Sequence, residues 1–258
     1  MLGFIIDLDG TVYLGGRILP GSADAVLTLR EAGHRIVFVT NNSVANPRDY
    51  ERKLTRLGVE VAIEEIVSSN QVMASFLQSR SEMCQPIFAI GEQPLFDELV
   101  DAGLQLTSTW QPAGCVVLAW DRSFTYDKLE AVCRARAAGI PVYATNPDPM
   151  CPVEDGEVPD CGTFIAAVER GTGKPLEAVV GKPSRFMVDA AMARLDVEPT
   201  QCWVVGDRLE TDIRMAHDAG LRSALVLTGV ADRKAAVSAD PQPSLICEDL
   251  AEVAKMLA

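Results

Sequence analysis

Four short apolar runs in this chain each end on a polar or charged cluster, with amphipathic stretches between them. Phe4-Ile5-Ile6 leads into Asp7-Leu8-Asp9-Gly10-Thr11, and Ile36-Val37-Phe38-Val39 into Thr40-Asn41-Asn42-Ser43. Ala178-Val179-Val180-Gly181 leads into Lys182-Pro183-Ser184, and Trp203-Val204-Val205-Gly206 into Asp207, Glu210, Thr211 and Asp212. Unbroken apolar runs of this length suit strands buried on both faces, and their alternation with helical patterns is that of an α/β fold with a mostly parallel sheet. Such sheets bind ligands beyond the carboxyl ends of their strands, so chemistry is expected in the four clusters.

The pattern between the runs predicts the helices. Ser22 can cap a helix over residues 22–32 that stops at Gly33, and Asn46-Pro47 opens one towards Leu57 with Gly58 as its stop. A third runs over residues 211–219 to Gly220, followed by a strand over residues 224–227. The middle third has its own strands, at 86–90, 115–118 and 141–144, with helices near 94–102 and 125–138. It reads as a separate α/β layer, although no low-complexity linker marks its borders.

Two carboxylates at i and i+2 beside a strand end, Asp7 and Asp9, suit a hard divalent cation, and Asp207 from another strand would complete an oxygen-rich site. Magnesium fits best. A carboxylate nucleophile and a phosphate dianion repel one another, and the cation together with Lys182 would cancel that repulsion. Thr40 offers a hydroxyl, and the turn after it offers N–H groups for phosphate oxygens. Other motifs fail on spacing. Gly171-Thr172-Gly173-Lys174-Pro175 lacks the Ser/Thr of a P-loop, and Gly10 is misplaced for a calcium loop. With only His34 and His217 present, a histidine triad or zinc hydrolase is disfavoured.

Charge narrows the partners. With 23 Lys+Arg against 36 Asp+Glu the net charge is −13, which disfavours nucleic acid and anionic membranes as partners. The acid is expected to gather at one sheet edge, where Asp7, Asp9, Asp207, Glu210 and Asp212 would recruit a cation. The start of the chain lacks the pattern of a signal peptide, and no apolar run reaches the ~18 residues of a membrane helix. Seven cysteines without a Cys-x-x-Cys argue against a disulfide framework or structural zinc, so a cytoplasmic location is expected.

The four clusters, in this order, resemble the motifs of the haloacid-dehalogenase (HAD) superfamily of phosphohydrolases. The long interval between Thr40 and Lys182 resembles the subclass with a large inserted α/β cap of the C2 type, the NagD-like and 4-nitrophenylphosphatase-like enzymes. Leu19-Pro20-Gly21-Ser22, Ala144-Thr145-Asn146-Pro147-Asp148, Val205-Gly206-Asp207-Arg208-Leu209-Glu210-Thr211-Asp212-Ile213 and Leu227-Thr228-Gly229-Val230 are similar as well. The resemblance implies a doubly wound, Rossmann-like catalytic core over residues 1–78 and 179–258, with a specificity-determining cap over 79–178.

It also implies a magnesium-dependent phosphatase acting on small soluble phosphomonoesters through an aspartyl-phosphate. Asp7 would be the nucleophile and Asp9 the general acid and then base. Mg²⁺ would be held by the Asp7 and Asp207 carboxylates and the Asp9 main-chain carbonyl, with Asp212 orienting the metal's waters. Thr40, Asn41 and Lys182 would hold the phosphoryl group. Asn146, Asp148 and Cys151 fall in a cap loop that meets substrate in related enzymes. The chain departs from the family pattern at Ala119-Trp120-Asp121 and Pro159-Asp160-Cys161-Gly162, and its cap is similar in flavour to sugar phosphatases of sugar-utilisation operons. Relatives often pair through the cap, so a homodimer is an open expectation. A phosphotransferase or mutase on sugar phosphates, and a non-catalytic sensor of a phosphorylated metabolite, are the alternatives.

Overall fold

Phe4, Ile5 and Ile6 are fully buried, and the Gly3–Asp7 strand they form lies inside a six-stranded parallel sheet. The computed structural model describes residues 1–153 and 156–258. Its main sheet runs Leu245–Cys247, Arg222–Val226, Cys202–Gly206, Gly3–Asp7, Arg35–Thr40, Ile66–Ser68. The first strand in sequence is thus central, with later strands added on both sides, and this is the switch point at which open α/β sheets bind ligands. Apolar runs are unbroken here because helices cover both faces, leaving no water-facing side to demand alternation. Helix Arg185–Leu195 packs on the Gly3–Asp7 and Arg35–Thr40 strands, and helices Ser22–Glu31 and Leu250–Leu257 pack on each other.

The chain forms two compact units. The first holds Met1–Thr40, Pro47–Val67 and Lys182–Ala258, and the second holds Asn41–Asn46 and Ser68–Gly181. The second unit has its own four-stranded parallel sheet, ordered Ala178–Val179, Val142–Ala144, Cys115–Leu118, Ile87–Ile90. Its core joins Val116, Leu118, Val132, Val142 and Val168, with Phe124 and Phe164 stacked at 4.1 Å. Helix Ser69–Gln78, on the core side of the boundary expected at residue 79, belongs to this second unit. It packs on helix Gln93–Asp101, and its Phe76 meets Tyr143 edge-on at 5.0 Å.

Several local details differ from the sequence pattern. Ser22 does not cap its helix. Gly21 does, in the left-handed region at φ 74°, and the Ser22 hydroxyl is buried without a hydrogen-bond partner among the described groups. Residues 211–219 do not form one regular helix: a π-helical turn, Leu209–Ile213, precedes the short helix Arg214–Asp218. The edge strands Ile66–Ser68 and Leu245–Cys247 escaped the pattern because each is three residues long, too short to show a period.

Candidate active site

Strand register brings three of the clusters together. Asp7 pairs with Val39 on one side, so Thr40 lies one residue beyond it. Ile6 pairs with Val205 on the other side, which puts Gly206 level with Asp7 and Asp207 just past the strand end. Adjacent strands lie about 4.8 Å apart, so the side chains of these neighbours can meet. Thr40 is buried at the end of its strand. Lys182 re-enters the first unit after the long insertion and donates from Nζ to Asp7 Oδ1, and to Asp212 Oδ1 at 2.7 Å.

The result is a buried cluster in which oxygens of Asp7, Asp207 and Asp212 lie within 4.8 Å of one another. The π-helical turn aims Asp212: its Oδ2 accepts from Arg208 N at 3.2 Å while its other oxygen meets Lys182. Wide turns of this kind recur at functional sites because they redirect a side chain. Asp207 Oδ2 accepts from Val230 N at 2.8 Å. Glu210, expected at the same edge, is exposed and stays out of the cluster.

One ammonium, Lys182, meets two of the three carboxylates, Asp7 and Asp212. Burial raises the Asp7 carboxyl well above the usual range; Lys182 opposes this, and Asp212 and Asp207 add to it. Burial, then Asp212, pushes Asp207 up to about 6. Burial lowers the Lys182 ammonium, but Asp212 and Asp7 outweigh it and hold its pKa above the usual value. Burial also raises Asp9, with Lys53 and the Tyr13 hydroxyl pulling it partly back.

The cluster fits a hard divalent cation. Its donors are all oxygens, and Asp207 Oδ1 is buried without a hydrogen-bond partner among the described groups. Two glycines leave the space around Asp207. A Cβ on Gly10 would stand 2.5 Å from Asp207 Oδ2, and one on Gly229 only 1.9 Å from it. Thr228 ties the two loops together by donating from Oγ1 to Gly10 O at 2.6 Å.

The remaining expected residues lie in the second unit. Asn41 donates from Nδ2 to Asp148 Oδ2 at 2.8 Å, and Asn146 donates to Asp148 Oδ2 at 3.3 Å and to Asp160 Oδ1 at 3.1 Å. Asp160 also caps helix Cys161–Thr172 through Cys161 N. Gly162 lets that helix approach the loop, since a Cβ there would be 2.2 Å from Pro147 O. Cys151 lies half-buried in an antiparallel pair, Met150–Val153 with Gly156–Pro159. The unusual Ala119 is fully buried beside Gly91, and Asp121 is held in a turn by Ser123 and by Lys128 at 2.5 Å. Burial pushes the Cys161 thiol up, so it is a packed and unreactive group. Tyr13 and Lys53, both beside Asp9, carry no motif, being a lone tyrosine and a lone helical lysine.

The sequence matches the family described as haloacid dehalogenase-like hydrolase over residues 4–105, and a HAD-hydrolase-like family over 179–253. It is 38% identical over 229 residues to the sugar-phosphatase AraL of Bacillus subtilis, covering 89% of this chain and 84% of that protein. The 4-nitrophenylphosphatase of Thermotoga maritima superposes with a TM-score of 0.93 at 36% identity, over 100% of this chain and 98% of that one. A glycerol phosphate phosphatase of Mycobacterium tuberculosis, solved with magnesium, superposes with a TM-score of 0.90 at 33% identity, over 99% of this chain and 78% of that one. The chain belongs to the haloacid dehalogenase-like hydrolases. Within them it is a phosphatase of the NagD and p-nitrophenyl phosphatase type.

Proposed function

We propose that this protein is a magnesium-dependent phosphatase that releases phosphate from small phosphomonoesters, with sugar phosphates as the leading class, by way of an aspartyl-phosphate on Asp7. The observation that carries the reading is the contact between Lys182 and Asp7 at the switch point of the sheet, inside a cluster of three carboxylates. In the first step an Asp7 carboxylate oxygen attacks phosphorus, the ester P–O bond breaks, and Asp9 gives its proton to the departing oxygen. In the second, water attacks the same phosphorus, Asp9 takes the water's proton, and the Asp7–phosphorus bond breaks to release inorganic phosphate. Lys182 keeps Asp7 oriented and adds positive charge for the phosphoryl oxygens, with the Thr40 hydroxyl as a further donor. Magnesium, held by Asp7, Asp207 and the Asp9 carbonyl with Asp212 behind them, would neutralise the phosphoryl charge.

The second unit is proposed as the cap that sets substrate preference, through the loop bearing Asn146, Asp148 and Cys151. The name of the AraL relative supports sugar phosphates, and other relatives bear the names 5'-nucleotidase and acid sugar phosphatase. A panel of sugar phosphates, nucleoside monophosphates, glycerol phosphate and phosphoglycolate, ranked by kcat/KM in Mg²⁺, tests the reading. Sugar phosphates should lead the ranking. A protein that releases phosphate from none of the panel would overturn it.

A further inference from the structure

Tyr13 lies four residues beyond Asp9 and is fully buried. The chain between them folds back tightly: Gly10 N donates to Tyr13 O at 2.8 Å, and Val12 N and Tyr13 N both donate to Leu8 O, at 2.9 and 3.2 Å. Gly10 permits this turn with its φ of 90°. Tyr13 then enters a short antiparallel pair, opposite Ile18, which fixes its backbone. Its hydroxyl donates to Asp9 Oδ2 at 3.0 Å. From helix Pro47–Arg56, Lys53 Nζ stands 3.4 Å from the centroid of the Tyr13 ring, a cation–π contact that holds the ring by its face as well as its tip.

A general acid must present one defined oxygen to the leaving group, and a carboxyl free to rotate about its last torsion presents two. We infer that Tyr13 is a positioning residue for Asp9: its hydroxyl occupies Oδ2 and fixes the carboxyl plane, so that Oδ1 is the atom that delivers the proton and later receives one from water. The bond survives both steps, because Oδ2 accepts whether it is the carbonyl oxygen of the acid or one oxygen of the carboxylate. Lys53 acts one contact further out, through the ring. This inference rests on the reading of Asp9 as general acid–base given above.

Leaving-group chemistry tests it. A 4-nitrophenolate ion departs readily without a proton, whereas phenolate and above all an alkoxide need one, and kcat/KM reports only the step in which the leaving group departs. For Tyr13→Phe, kcat/KM should fall by less than about threefold on 4-nitrophenyl phosphate, and by roughly 10- to 100-fold on phenyl and ethyl phosphate, with the loss in kcat and not in KM. An equal fall on all three substrates would mark Tyr13 as merely structural, and no fall on ethyl phosphate would also overturn the inference. Asp9→Asn is run beside it. If that variant shows no leaving-group dependence, the general-acid reading itself fails. A cooperative melting transition close to that of the wild type serves as the fold control. Should Tyr13→Phe lose it, the same split is read in Lys53→Met, where a uniform fall or no fall overturns the inference.

Discussion

Lys182 and Asp7 stand 175 positions apart in sequence and meet as a buried ion pair at the carboxyl end of the central strand. The long stretch of chain between them is therefore spanned by a contact on which the proposed chemistry relies. Lys182 also pairs with Asp212, so one ammonium bridges two of the three clustered carboxylates.

Removing that ammonium should cost both activity and stability. Lys182→Met is expected to lower kcat on 4-nitrophenyl phosphate on the order of 100- to 1000-fold, the usual cost of losing a donor at a site of developing charge. In EDTA at neutral pH the variant should be about 3–5 kcal/mol less stable, because a buried pair loses one partner. Added Mg²⁺ should restore part of the stability and little of the turnover. Thermal melting with and without the metal, beside steady-state kinetics, checks both parts.

The space beside Asp207 is set by glycine. Gly229→Ala places a methyl 1.9 Å from Asp207 Oδ2, so the carboxylate has to turn away. Half-saturating Mg²⁺ should rise by roughly 10- to 100-fold, the range found when support behind a metal ligand is disturbed. Titration of activity against Mg²⁺ measures it, and an unchanged midpoint would mean that Asp207 does not hold the ion.

The raised carboxyls give the metal-free protein an inverted pH response. Asp207 titrates at about 6 when folded against about 3.9 when unfolded, so the folded state binds the extra proton. Stability from that proton is fully present below the unfolded value and is lost as pH rises through about 6. Asp7 shifts in the same direction. In EDTA the melting temperature should therefore rise as pH falls from 7 to about 5.5. With saturating Mg²⁺ the trend should reverse, because protons then compete with the cation. Melts across this range, with and without the metal, decide it.

Asp160 stands where relatives are expected to carry glycine, and here it both caps a helix and accepts from Asn146. Asp160→Ala should cost about 1–2 kcal/mol from the lost cap, read as a lower melting temperature. Because Asn146 also bonds Asp148, a change in the KM for sugar phosphates is expected with it, while kcat on 4-nitrophenyl phosphate stays within about twofold.

The parallel core was legible because burial on both faces forces unbroken apolar runs, and Phe4-Ile5-Ile6 and Trp203-Val204-Val205 meet that demand without ambiguity. The four clusters were legible for a related reason: strand ends in such a sheet converge, so Asp7, Thr40 and Asp207 could be gathered without knowing the strand order. What escaped were features set by tertiary contact. Ser68 closes a strand and caps the next helix, which belongs to the second unit, and nothing in its sequence shows where the first unit ends. The π-helical turn that aims Asp212 has the same residue pattern as an ordinary helix start. Tyr13 and Lys53 gain meaning only once a tight turn and a helix bring them to Asp9.

The covalent step on Asp7 is the centre of this account, and trapping it is the most direct measurement. Protein mixed with excess 4-nitrophenyl phosphate and Mg²⁺ is quenched in acid within milliseconds, reduced with borohydride, and mapped by peptide mass spectrometry. Reduction of an aspartyl-phosphate should leave homoserine in the peptide that carried Asp7, and the signal should be absent from Asp7→Asn. Turnover that continues in Asp7→Asn, or a modified residue elsewhere in the chain, would contradict the account.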